Sequence, residues 1–289
     1  MSQKEECINK TSFFCDYLGI SRQGYYQHKQ TESELDVLIT SIVLYCLYVR
    51  KHQLPRAGMR ELYVMCKQKF GKKMTIGRDR CFDVFRANGF AQRKLRRPRT
   101  TNSNHNYYIY PDMLNTSPKL VATEVGQLVV GDITYVATNS GWAYLSLLTD
   151  AASRMIVGWN LERTLETSGP MGALNMSLDF YSSHNIDLSK MIHHSDRGIQ
   201  YCSYAYTDKL KEYGIMISMT QTGDPLHNAL AERMNNTIKN GWLFECADKS
   251  FEQVNELIAR AIYAYNNVRP HQALNMQTPS ERMLSLMRN

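Results

Sequence analysis

The sequence predicts an α/β protein in which a mixed sheet with helices follows an all-α helical region. Helix-period patterns fill the first hundred residues, and short β-rich apolar runs begin at residue 128. The length of 289 residues suits about two domains, and a hydrophobic content of 43% suits a sizeable core. No run approaches the roughly 18 apolar residues of a membrane span, and the start lacks the apolar stretch of a secretion signal.

The chain has seven cysteines, an odd number without a Cys-x-x-Cys pair. This spacing suits neither a disulfide framework nor a zinc finger, so we expect reduced thiols in a cytoplasmic protein. Composition therefore argues against the secreted, disulfide-rich and membrane-spanning classes.

The first segment, Thr11 to Lys29, has the pattern of a helix, a tight turn and a second helix that Ser21 can cap. A glycine-containing turn between two short helices is typical of a helix-turn-helix, whose second helix enters the major groove of DNA. An ordinary helical hairpin fits this segment about as well. A T-x-x-E capping box at Thr31 and Glu34 predicts that a further, longer helix begins there.

Residues 51–100 form a strongly basic block, with 15 Lys and Arg against three Asp and Glu, whereas the remainder of the chain is slightly acidic. Two predicted helices, Met59–Phe70 and Arg78–Asn88, precede the densest basic run. Such a block on a near-neutral body indicates a polyanion partner, most simply nucleic acid, with a solubilising surface as the alternative. We expect an extended arm on a phosphate backbone, formed by Arg93, Lys94, Arg96, Arg97 and Arg99.

After a polar stretch at residues 100–120, the pattern changes from helical to mixed. Three strands in series are followed by helix, strand, helix, strand and helix, which is the order of the ribonuclease-H-like fold. The predicted strands are Leu128–Val136, Ala143–Leu148, Met155–Asn160, Met191–His194 and Ile215–Met219. The predicted helices are residues 167–184, Ser203–Tyr213, Ala229–Asn240 and Phe251–Val268.

Three acidic residues fall where this fold would bring them together. Asp132 interrupts an apolar strand, where a carboxylate is costly to bury unless something such as a metal ion compensates it. Asp196 directly follows the fourth strand, which neighbours the first strand in this topology. Glu232 begins a helix that could lean over the same edge. Taken singly, the three are better explained as a strand-end acid, an ion pair and a helix N-terminal acid. Taken together, the fold order and the spacing favour a shared metal site.

Carboxylates with open coordination positions are what Mg²⁺ or Mn²⁺ requires, and two such ions can support an in-line displacement at phosphorus. The adjacent His193 and His194 lack a cysteine pair and are expected to be strand-end or supporting histidines. On the Glu232 helix, Asn236 and Lys239 share the face of that glutamate and could touch DNA, although a solvated polar face is the simpler interpretation.

Four motifs and a C-terminal segment stand out in the second half of the chain. They are Asp-Ile-Thr-Tyr (132–135), Ser-Arg-Met-Ile-Val-Gly-Trp (153–159), His-Ser-Asp-Arg-Gly-Ile-Gln-Tyr (194–201), Asn-Ala-Leu-Ala-Glu (228–232) and Tyr-Asn-Asn-Val-Arg-Pro-His-Gln-Ala-Leu-Asn-Met-Gln-Thr-Pro (265–279). Together they resemble the DDE transposases. In order and spacing the chain is similar to the second-frame (OrfB) protein of the insertion sequence three family, kin to retroviral integrases. The likeness is strong over residues 120–285 and looser over residues 12–100.

The resemblance implies a catalytic and metal-binding triad of Asp132, Asp196 and Glu232, and two Mg²⁺ or Mn²⁺ ions. It implies cleavage of DNA at the element ends and attack of the exposed 3′-hydroxyl on a target phosphodiester. Its implied partners are terminal-repeat and target DNA and an upstream-frame protein. It also implies at least a dimer on DNA, located in the bacterial cytoplasm at the nucleoid. Asn228, Arg269 and His271 are candidates for orienting the site, with a proline-directed turn as the alternative for Arg269.

The resulting domain prediction is a helix-turn-helix at 1–30, a basic helical DNA-binding region at 31–100, a linker at 101–120 and a catalytic core with C-terminal helices at 121–289. The sequence departs from the family pattern at Val129, His227 and Arg233, which stand where a Trp, an Asp and a Ser are usual. These departures affect expected substrate contacts more than the triad.

Two other functions fit parts of the pattern. A ribonuclease-H-type nuclease would hydrolyse DNA without joining it, but the 35 residues between Asp196 and Glu232 and the basic helical region argue against it. A DNA-binding regulator with a degenerate core would need no triad, and the intact triad argues against that.

Overall fold

The computed structural model describes residues 11–92, 107–115, 120–221 and 228–288. The basic run at residues 93–99 and the departure at His227 lie outside these residues. The N-terminal region is helical, as the sequence predicts. Its elements are α1 (residues 11–17), α2 (Arg22–His52), α3 (Met59–Phe70), a 3₁₀ turn (Gly71–Lys73) and α4 (Arg78–Ala87).

Helix α2 starts as the sequence predicts, but the predicted helix start at Thr31 is wrong. The Ser21 hydroxyl caps α2 by accepting a hydrogen bond from the backbone N–H of Gly24 at 2.9 Å. The Thr31 hydroxyl does not cap a helix, because it donates back to the carbonyl oxygen of Gln27 inside α2. Glu34 likewise accepts from the Gln30 side chain one turn before it. The predicted boundary between residues 30 and 31 therefore falls within one continuous helix.

Five strands form one mixed sheet in the order β3-β2-β1-β4-β5. Strands β1, β2 and β3 are antiparallel neighbours, whereas β4 runs parallel to both β1 and β5. This arrangement confirms the ribonuclease-H-like fold and the predicted contact between the first and fourth strands. The strands are β1 (Leu128–Thr138), β2 (Gly141–Asp150), β3 (Ile156–Glu162), β4 (Ile192–Ser195) and β5 (Met216–Met219).

The described part of the core contains the four predicted helices and two that were not predicted, α6 and α10. The sequence does carry a start signal for α10, because Thr278 and Glu281 form a capping box and Pro279 begins the helix. The helices are α5 (Ser168–Ser183), α6 (Ile199–Cys202), α7 (Tyr204–Glu212), α8 (Ala229–Gly241), α9 (Phe251–Asn267) and α10 (Pro279–Met287), with a 3₁₀ turn at Gln272–Leu274.

Helices cover both faces of the sheet because alternate residues of each strand point to opposite sides. Val129 of β1 packs in one apolar cluster with Leu174 of α5 and Leu210 of α7. Val136 of the same strand lies in another cluster with Ile238 of α8 and Ile258 of α9. Asp132 lies four residues before Val136 in β1, so its side chain points to the same face of the sheet, the face that α8 covers.

The N-terminal helices share that second cluster and dock on α8 and α9. Buried side chains of α2, α3 and α4 belong to the same apolar core as Ile238 and Ile258. Polar contacts also join the two parts: the indole N–H of Trp242 donates to the carbonyl oxygen of Gln53 at 2.9 Å. Arg60 of α3 donates to Gln272 at 3.0 Å. The helical region is thus packed against the helix that carries Glu232.

The described part of the predicted linker lies against the edge of the sheet. The carbonyl oxygen of Pro111 accepts a hydrogen bond from Met219 of β5, and the N–H of Met113 donates to the Ser218 hydroxyl. Residues 107–115 therefore cover the β5 edge. Among the described helices, none combines the length and the apolar character needed to cross a bilayer. The six described cysteines are buried free thiols.

Candidate active site

The pairing of β1 and β4 brings two of the predicted carboxylates together. Gly131 of β1 lies opposite Ser195 of β4 in the parallel ladder, so the next residues, Asp132 and Asp196, stand at the same level of the sheet. Their proximity has an electrostatic effect. Burial, and after it the negative charge of Asp196, raise the pKa of the Asp132 carboxyl to about 7.

Two hydrogen bonds hold the Asp132 carboxylate in place. Its Oδ1 accepts from the backbone N–H of Ile133 at 2.9 Å, and its Oδ2 accepts from the side-chain amide of Asn235 at 2.8 Å. Both contacts favour the ionised form and lower the pKa, but burial and the neighbouring acid outweigh them. Asp132 is therefore a carboxyl group in a position that disfavours its own negative charge.

Helix α8 is held against β1 by two buried asparagines. Asn228, directly before the helix, donates from its side chain to the carbonyl oxygen of Gly131 at 3.0 Å. Asn235, seven residues further on, makes the contact to Asp132. Glu232 lies between these two attachment points, in the first turn of α8, and its charge also raises the pKa of Asp132. The third carboxylate is thus fixed on the helix that crosses the β1 edge.

Asp196 is oriented by the turn that follows β4. Its Oδ1 accepts a hydrogen bond from the backbone N–H of Gly198 at 2.9 Å. A Cβ atom at Gly198 would lie only 3.0 Å from that same oxygen, so a larger residue would push on the carboxylate. The glycine of the His-Ser-Asp-Arg-Gly motif therefore allows the tight approach of the turn to Asp196.

The two histidines before Asp196 are buried in the sheet and bonded to neighbouring hydroxyls. His193 Nε2 lies 2.9 Å from the Tyr206 hydroxyl, and His194 Nδ1 lies 2.8 Å from the Ser218 hydroxyl. Burial lowers the pKa of His193 to about 3, which keeps its imidazole neutral. Their contacts fit the predicted supporting role of these residues within the sheet.

Other predicted residues lie in different surroundings. On α8, Asn236 is partly buried and donates to the carbonyl oxygen of Glu232, and burial lowers the pKa of Lys239. Arg269 forms an ion pair with Glu61 of α3 at 2.7 Å. His271 is packed edge-on against Tyr265, and burial lowers its pKa to about 3. The contacts of Arg269 and His271 thus join the C-terminal segment to the rest of the fold.

Asn235 is the site residue that sequence reasoning missed. It lies three residues after Glu232, within the helical spacing that places side chains on one face. By the same spacing the sequence predicts Asn236 and Lys239 on the face of Glu232, whereas the structure turns Asn235 toward β1. The missing information is the phase of α8 relative to the sheet, which only the packed structure gives.

The donor set suits a hard divalent cation. Asp132 and Asp196 offer carboxylate oxygens. Burial, and after it the charge of Asp196, raise the pKa of Asp132, and a bound cation would offset both the lost solvation and the repulsion. Within the described ranges, no three His, Cys, Asp or Glu side chains stand close enough to form a complete ligand cage. The structure thus brings together the Asp132–Asp196 pair, with Glu232 close enough to affect it electrostatically.

Comparisons with known proteins agree with this arrangement. Two family models, both described as integrase core domain, match residues 122–225 and 213–279. The chain is 30% identical over 276 residues to the insertion element IS600 uncharacterized 31 kDa protein of Shigella sonnei, covering 92% of this chain and 96% of that protein. It is 35% identical over 163 residues to the transposase for insertion sequence element IS629 of Shigella sonnei, covering 56% of this chain.

The chain spans about half the length of that transposase, 53%. Among solved structures, the HTLV-2 integrase catalytic core domain in complex with magnesium shares 17% identity with a TM-score of 0.42, covering 55% of this chain and 96% of that one. The relatives, the integrase core models and the ribonuclease-H-like sheet agree on one assignment. The chain belongs to the DDE transposases of the insertion sequence three family, enzymes built on an integrase core domain.

Proposed function

We propose that this chain cleaves the ends of a bacterial insertion element and joins each freed 3′-hydroxyl to a phosphodiester of target DNA. The observation that carries the proposal is that Asp132, within β1, stands level with Asp196, directly after β4, while Glu232 on α8 is close enough to raise the pKa of Asp132. This reaction needs no covalent protein intermediate, so carboxylates that hold divalent ions and a path for DNA are sufficient.

Asp132, Asp196 and Glu232 would together hold two divalent ions, Mg²⁺ or Mn²⁺. When bound, such ions activate the attacking oxygen and stabilise the leaving oxygen of an in-line displacement. Magnesium is present in the solved HTLV-2 integrase core named above, which supports this choice of cation. In this chain, Asn235 positions the Asp132 carboxylate and Asn228 positions the start of α8.

The DNA would run along α8 toward the basic region. Lys239 lies two helical turns beyond Glu232 and is partly buried, so a phosphate beside it would favour its charged form. Asn236 could donate to the same backbone. The basic run Arg93–Arg99 adds positive charge for neutralising further phosphates. Pairing of two element ends would require at least two copies of the chain.

The test is incubation of the purified chain with the DNA that flanks its own gene and with Mg²⁺ or Mn²⁺, with and without any upstream frame fused. Wild type is compared with Asp196→Asn and with a matched control, Asp208→Asn, which changes a surface aspartate of α7. We expect joined strands from wild type and from the control, and none from Asp196→Asn.

Each other outcome has a distinct meaning. Nicked DNA without joined strands would indicate a nuclease. DNA binding without metal-dependent cleavage in every form would indicate a regulator. Joined strands from Asp196→Asn at the wild-type rate would remove Asp196 from the proposed site.

A further inference from the structure

Helix α2 exposes an apolar stripe on the side that faces away from the protein. Val37 is 65% exposed, Leu44 61%, Leu47 51% and Tyr48 53%. No charged residue occurs anywhere in residues 37–49, although this part of the helix has a solvent-facing side. A solvated helix face ordinarily carries charge, so a contiguous apolar stripe indicates a surface that another molecule covers.

The stripe is distinct from the face that α2 buries in its own chain. Ile42, Cys46 and Val49 are fully buried and belong to the core shared with α8 and α9. At 3.6 residues per turn, the buried face and the exposed stripe lie on nearly opposite sides of the helix. A second helix could therefore pack on the stripe without displacing the core.

The first half of α2 has little support from the other residues that the structure describes. All of residues 22–34 are exposed, so this part of the helix extends beyond the packed core. Isolated helices of this length are marginally stable in water, and most helices in proteins are stabilised by packing on one face. A helix packed on the stripe would add contacts at the end of this part, from residue 32 onward.

Charges at the two ends of the stripe indicate what the partner is. Glu32, Glu34 and Asp36 lie before the stripe, whereas Lys51 and His52 lie after it, and all five are exposed. Two copies of α2 in antiparallel orientation would place the acidic end of each beside the basic end of the other. The stripe is thus complementary to itself when reversed.

We propose that the exposed stripe of α2 is a self-association surface on which α2 of a second copy packs antiparallel. In this arrangement Val37 faces the partner's Leu47, and Leu44 faces the partner's Thr40. Lys51 then lies between the partner's Glu32 and Glu34. The spacing of Val37, Thr40, Leu44 and Leu47, alternating three and four residues, is that of an antiparallel two-helix seam. The interface is isologous and closes on itself as a dimer.

The first experiment measures the oligomeric state of the full chain without DNA, by sedimentation velocity over a range of concentrations. We expect a reversible dimer for wild type. Leu44→Glu places a charge in both halves of the seam and should raise the dissociation constant on the order of a hundredfold. Leu284→Glu is the matched control, because Leu284 is a helical leucine that is 54% exposed away from α2; it should leave the dimer unchanged.

The second experiment tests the antiparallel orientation by charge reversal. Glu34→Lys and Lys51→Glu should each weaken the dimer several-fold, because each variant places like charges side by side at both ends. The double variant, or an equal mixture of the two single variants, should restore wild-type association. Circular dichroism of each variant verifies that the fold is unchanged.

Several results would overturn the proposal. These are a monomeric wild type at every concentration, or a dimer that Leu44→Glu leaves intact. Association that responds equally to Leu284→Glu, or that needs an upstream-frame protein to cover the stripe, would do the same. These outcomes are independent of DNA cleavage, so they leave the proposed function untouched.

Discussion

Replacing Asp132 with asparagine should stabilise the folded chain at neutral pH, even though it removes a proposed catalytic residue. The pKa of this carboxyl rises from its ordinary value of 3.8 to about 7 on folding, first through burial and then through the charge of Asp196. Below pH 3.8 the group is protonated in both states and costs nothing. Between pH 3.8 and 7 the unfolded chain loses the proton while the folded chain keeps it, so stability falls as pH rises.

The size of the effect follows from the shift. A change of about three pKa units corresponds to roughly 4 kcal/mol of lost stability above pH 7. The asparagine variant avoids this cost, but its NH2 group faces one of the two donors, Asn235 or Ile133, and loses that hydrogen bond, worth about 1.5 kcal/mol. The net gain is therefore on the order of 2 kcal/mol, or about 3 °C in melting temperature.

Thermal unfolding at a series of pH values between 4 and 8 measures this effect. The difference in stability between Asp132→Asn and wild type should grow from pH 4 to about 7 and stay constant above it. Asp208→Asn serves as the control for a surface aspartate. A difference independent of pH, or a wild type more stable than Asp132→Asn at pH 8, would refute the electrostatic reasoning.

Divalent cations should reverse the order of stability. A cation that binds only the folded chain at a hundredfold excess over its dissociation constant adds about 2.7 kcal/mol. Mg²⁺ or Mn²⁺ should therefore raise the melting temperature of wild type above that of Asp132→Asn, which lacks a ligand. Because the cation competes with a proton of pKa about 7, its effect should weaken as pH falls below that value. An equal rise in both proteins would exclude Asp132 as a ligand.

Two further predictions concern polar contacts. Asn235→Ala removes a contact that lowers the pKa of Asp132. The rate of metal-dependent strand joining should fall about 10–100-fold, and a pH–rate profile should show its acid limit moved to higher pH. An unshifted profile would contradict this positioning role. Arg269→Ala should cost about 2 kcal/mol in urea unfolding through loss of the partly buried pair with Glu61; additive losses in a double-mutant cycle would show that the two side chains are not coupled.

Most of the core was predictable because its elements have strong local patterns. Strand β1 is an apolar run interrupted by one carboxylate, and Asp196 follows directly after the short apolar strand β4. Once β1 and β4 pair in parallel, Asp132 and Asp196 are neighbours, and no other contact of the chain is needed to bring them together. The register Gly131–Ser195 is the detail that the sequence leaves open.

The helical region shows why a local signal can mislead. A T-x-x-E sequence at Thr31 and Glu34 starts a helix only where the backbone enters from an extended conformation. Here no proline interrupts residues 22–52, and the Thr31 hydroxyl finds an acceptor four residues earlier. The same residues therefore continue a helix instead of starting one. Arg269 illustrates the long-range case, since its partner Glu61 lies 208 positions away in the chain.

The choice between Asn235 and Asn236 depends on how α8 is rotated against the sheet. Both residues are within one turn of Glu232, and helical spacing alone ranks them equally. Burial of Met234 and Ile238 turns the apolar side of α8 toward the core, and this rotation brings Asn235 to Asp132 while Asn236 stays on the partly exposed side. The phase of the helix is a tertiary property that no local pattern supplies.

The junction between β1 and α8 has features that are poorly explained by folding stability alone. This junction contains two neighbouring carboxyl groups, Asp132 and Asp196, and two buried asparagines. Apolar side chains would pack there at a lower cost in free energy. Neither Asn228 nor Asn235 has a hydrogen-bond partner for its Oδ1 among the residues that the structure describes. Each such group lowers the free energy of unfolding. A cation at Asp132 and Asp196 would recover part of that loss, because both carboxylates, which repel each other, would be attracted to the ion. The same local cost that destabilises the fold therefore favours binding of the ion on which the proposed reaction depends.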